Sequence, residues 1–72
     1  MSLTYQNPTT FIQSNVKRII ECSDKINTLA TSVDCLISTG ENDKAVDTLS
    51  QLGYVSEQLG SDVSALMDML GD

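Results

Sequence analysis

The chain has 72 residues, 40% of them apolar, two cysteines, no histidine and a formal charge of −6. That length allows one domain and a core too small to stand without further support. The acidic balance argues against direct nucleic-acid binding, which needs a basic footprint to displace counterions, and no apolar run approaches the ~20 residues of a membrane span.

Residues 1–7 are polar apart from Leu3 and Tyr5, and are expected to form a loose N-terminal tail. They lack the basic-then-apolar pattern of a secretory signal. Asn7-Pro8 reads as a helix start, because Asn caps and Pro is tolerated at the first helical position. Thr10 with Gln13 offers a rival capping box. Nothing from Pro8 to Ser38 interrupts a helix, so the first helix is expected over about residues 8–38. Thr39-Gly40-Glu41-Asn42 reads as a turn, with Gly40 suited to the left-handed position that ends a helix. Glu41, Asn42 and Asp43 suit the start of a second helix, where free amide donors favour capping groups and negative charge. That helix is expected over about residues 43–70. It contains Gly53 and Gly60, seven apart and therefore on one face, each costing about 1 kcal/mol relative to alanine.

The apolar spacing on the two sides of the turn is a mirror image. Reading back from it gives Ile37, Val33, Ala30, Ile26, Ser23, Ile19, Val16 and Ile12. Reading forward gives Ala45, Leu49, Leu52, Ser56, Leu59, Val63, Leu66 and Leu70. Both series alternate steps of four and three, the rhythm of helices packed along a narrow seam. Paired in order, the two residue numbers of each layer total 82. Equal rise per residue puts such pairs at equal height. The sequence therefore predicts an all-α fold, a two-helix antiparallel hairpin of coiled-coil type.

A single hairpin has one seam, and the usual covalent and metal supports are missing. Cys22 and Cys35 lie roughly 20 Å apart along one helix, beyond the ~7 Å limit for a bridge, and their use as free thiols fits a reducing, cytoplasmic setting. Self-association is the support that remains. With the seam placed as above, one flank collects Cys22, Leu29, Leu36, Val55 and Met69, and is expected to be the self-association face that builds a homodimeric four-helix bundle. The other carries Ile20, Gly53, Gly60 and Met67, a shallow groove able to take a second protomer or a foreign helix.

The chemistry of catalysis is thin. There is no histidine for acid–base work, no Glu-x-x-His pair for a carboxylate-bridged metal site, no Cys or His set for zinc and no phosphate-binding loop. Cys22 reads as a small apolar residue, whereas Cys35 falls on the outer face as an exposed thiol. No cofactor is implied. The leading expectation is a non-enzymatic protein–protein interaction module, a small regulator, adaptor or chaperone. Two alternatives remain: an acidic mimic blocking a basic nucleic-acid-binding surface through Asp47, Asp62 and Asp68, or a structural subunit of a larger assembly.

Overall fold

The computed structural model describes residues 8–71. The expected tail, residues 1–7, lies outside them. Helix α1 spans Pro8–Ser38 and α2 spans Asn42–Gly71, and the two pack against each other as an antiparallel hairpin. At 1.5 Å per residue each arm is about 45 Å long.

The turn is closed by backbone hydrogen bonds. Gly40 takes a φ of 79°, in the left-handed region that a side chain would make strained. The Glu41 amide donates to the Leu36 carbonyl at 2.8 Å, and the Gly40 amide to the Ile37 carbonyl at 3.1 Å. This pair of bonds satisfies two of the carbonyls that every helix end leaves orphaned. The Glu41 carbonyl then accepts from the Ala45 amide at 3.0 Å. Glu41 thus closes one helix and opens the next. Its carboxylate lies 2.9 Å from Lys44 Nζ and 3.1 Å from the Thr39 hydroxyl.

The seam differs from the one the spacing predicts. The covered positions of α1 are Ile12, Asn15, Ile19, Cys22, Ile26, Leu29, Val33 and Leu36; those of α2 are Ala45, Thr48, Leu52, Val55, Leu59, Asp62, Leu66 and Met69. Residue numbers at equal height now total 81, so the hairpin folds about a point between Gly40 and Glu41. One row of each helix matches the expectation: Ile12, Ile19, Ile26 and Val33 in α1, and Ala45, Leu52, Leu59 and Leu66 in α2. The second row is replaced. Val16, Ser23, Ala30 and Ile37 give way to Asn15, Cys22, Leu29 and Leu36, while Leu49, Ser56, Val63 and Leu70 give way to Thr48, Val55, Asp62 and Met69.

The exchange has a physical reason at mid-length. Leu29 and Val55 carry far more apolar surface than Ala30 and Ser56, and each Å² removed from water contributes about 25 cal/mol. Polar residues enter the seam as the counterpart. Thr48 satisfies its hydroxyl on the Lys44 carbonyl at 2.9 Å, and Asn15 donates to the Phe11 carbonyl at 3.0 Å. Among the described residues the most deeply buried side chains are Val33, Ala45 and Val55, all in the half nearer the turn.

Candidate interaction surface

The seam divides the hairpin's surface into two flanks of opposite character. One carries Arg18, Glu21 and Lys25 from α1 with Gln58 and Ser61 from α2, around an open depression of about 420 Å³. At its edge Arg18 Nη2 stands 3.6 Å from Asp62 Oδ1. A second hollow of about 520 Å³ lies between Lys25, Leu29, Gln51, Tyr54 and Gln58, and Gln58 Nε2 donates to the Tyr54 hydroxyl at 3.3 Å. This side is wet, and long polar side chains cover its apolar floor.

The other flank is built by the rows the seam left out. From α1 come Val16, Ile20, Ala30 and Ile37; from α2 come Val46, Leu49, Val63, Met67 and Leu70. The exposure is large: 55% for Ile20, 57% for Ile37, 60% for Val46, 65% for Met67 and 64% for Leu70. Gly53, Gly60, Ser23 and Ser56 fill the middle. Helical spacing places one charged residue, Asp34, in these rows. The result is an apolar strip about 40 Å long in which bulky ends flank a waist of small residues. Monomers rarely leave such strips in water, and where they occur they mark interaction sites.

The two residue sets singled out from the sequence separate on this geometry. Cys22, Leu29, Leu36, Val55 and Met69 sit in the seam between α1 and α2, so one hairpin already covers much of their surface. Ile20, Gly53, Gly60 and Met67 all lie exposed on the apolar flank. Val46, Leu49, Ile37, Val63 and Leu70 belong beside them, and the sequence reading spent most of these on the seam. The missed signal was size. The row holding Ser23, Ala30 and Ser56 is the poorer filler for a core, and so the one to leave outside.

Gly53 and Gly60 are not explained within the hairpin. A Cβ built on either meets no atom within 4 Å. Close packing of α1 on α2 therefore does not require them, although each weakens α2 by about 1 kcal/mol relative to alanine.

The Glu41 carboxyl is held below the ordinary carboxylate value by Lys44 first and by the Thr39 hydroxyl second. Asp62 is tied to Arg18 at the seam's edge, whereas Asp47 and Asp68 stand exposed on α2. Cys35 is an exposed free thiol and Cys22 a half-buried one. Among the described residues no group of acidic, Cys or His side chains is placed to hold a metal ion, and no helix is long and apolar enough to cross a membrane. The chain matches no known protein family, and comparison with curated proteins and with solved structures likewise found no match.

Proposed function

We propose that this chain is a non-enzymatic protein–protein interaction module whose working form is a homodimer, with the apolar flanks of two hairpins meeting as the core of a four-helix bundle. The observation that carries the reading is the exposed strip of Ile20, Ile37, Val46, Leu49, Met67 and Leu70 beside a seam in which Val33, Ala45 and Val55 are the buried side chains. Area supports it. The chain exposes 5365 Å², against roughly 4400 Å² expected of a compact monomer of its mass. The excess of about 1000 Å² is close to the ~800 Å² that each partner contributes to a standard interface. Four-helix packing along such stripes is a common solution, and a two-fold dimer uses the same patch twice.

In this form the polar outside, with its acidic α2, is the surface presented to any further partner, as a regulator, adaptor or chaperone would present it. Sedimentation equilibrium tests the reading. The expected mass is twice the 7.8 kDa of the chain, with a melting temperature that rises with concentration. A stable monomer with a cooperative melt at high micromolar concentration would overturn it.

A further inference from the structure

Resting on that reading, we infer that the second copy lies inverted end for end, related by a two-fold axis perpendicular to the helices at the level between Gly53 and Gly60. Two independent features of the apolar flank lead there. The first is the α2 row Val46, Gly53, Gly60, Met67, which runs large, small, small, large. Inversion about its midpoint sets Gly53 against Gly60 of the second copy and Val46 against its Met67, so two α2 backbones meet where both lack side chains. Small residues allow that close approach, and the open space around both positions is what such a neighbour would fill.

The second feature is charge. Asp34 is the one carboxylate in the flank's rows, and neither Asp34 nor Lys17 is among the ion pairs formed by the described residues. Measured from the fold-back point, Asp34 stands about 10 Å up the hairpin, Lys17 about 35 Å and the proposed axis about 24 Å. Inversion carries Asp34 to about 38 Å, within about 3 Å in height of Lys17 on the second copy. The contact occurs twice by symmetry. A copy laid with both turns at the same end instead sets Asp34 level with the other chain's Val46 and Asp47, where the nearby Lys44 is already paired with its own Glu41. Such a juxtaposition of like charge is what an interface is selected against.

Cross-linking tests the arrangement separately from dimerisation. In a background with Cys22→Ala and Cys35→Ser, confirmed dimeric by sedimentation, Ser56→Cys lies next to the axis. It is expected to form a disulfide with its own copy on mild oxidation, while a mixture of Ser56→Cys with Ser23→Cys gives no mixed bridge. The opposite pattern would overturn the inverted arrangement and leave the dimer standing; a monomeric background protein would overturn both. On the native cysteine background, Asp34→Lys is expected to weaken the dimer about tenfold, and Lys17→Asp added to it, which restores the net charge, is expected to recover the loss. Failure of the swap to recover affinity would also overturn the pairing.

Discussion

The two flanks of this hairpin share the same helices and the same seam, yet one is charged and the other is nearly free of charge. On the charged flank, Arg18, Glu21, Lys25 and Gln58 hold polar ends in water over their own aliphatic stems. On the apolar flank, Val46, Leu49, Met67 and Leu70 have no such cover. Stability of the single hairpin does not need the second arrangement, because a polar row there would cost the seam nothing. The contrast teaches that one seam buries only part of the apolar surface these two helices carry.

The comparison breaks most visibly at Leu49. Leu49→Glu places a carboxylate within the apolar strip and is expected to raise the dimer dissociation constant at least 100-fold, about 2.7 kcal/mol. The matching change on the opposite flank, Gln51→Glu, should leave it unchanged; sedimentation velocity on the pair gives the answer. Next in size is the seam that both flanks share. Leu29→Ala should lower unfolding free energy by about 2 kcal/mol, the low end for leucine truncation because Leu29 is half-buried, as read by urea denaturation.

Gly60→Ala sharpens the contrast by its sign. In the monomeric Leu49→Glu background it should stabilise the hairpin by about 1 kcal/mol through helix propensity, since its methyl meets nothing. In the dimer it should weaken association. A gain in both settings would mean that no backbone approaches there. On the charged flank, Arg18→Gln should change stability by less than about 0.5 kcal/mol, because the arginine is 67% exposed at a separation of 3.6 Å from Asp62 and such pairs are screened.

The smallest effect sits at the turn. With the Glu41 carboxyl lowered by Lys44 and Thr39, its contribution is fully present above the ordinary carboxylate pKa. It disappears as pH falls through the lower folded value. A carboxyl NMR titration should place its midpoint below the ordinary carboxylate value, and Lys44→Met should move it back toward that value.

Much of this architecture is legible from residue order alone. Pro8, Gly40 and the acidic–amide run after it mark where helices start and stop, and the mirrored three–four spacing states that the chain folds back on itself. Local chemistry determines these features, because caps, turn conformations and helical period depend on near neighbours. What residue order left open is which face of each helix turns inward. Four adjacent rows of α2 are rich in apolar or small residues, and the rhythm of three and four fits two choices of seam equally well.

The tertiary structure decides between them with a change of one in the mirror sum, from 82 to 81, a rotation of each helix by about 50°. That rotation follows from the turn's closure at Gly40 and Glu41, which sets the phase of α2 relative to α1. It follows too from the larger side chains of Leu29 and Val55 taking the middle of the seam. Side-chain volume acts only when two helices meet. Spacing within one chain therefore names the hairpin, and contact between its arms assigns the inside and the outside.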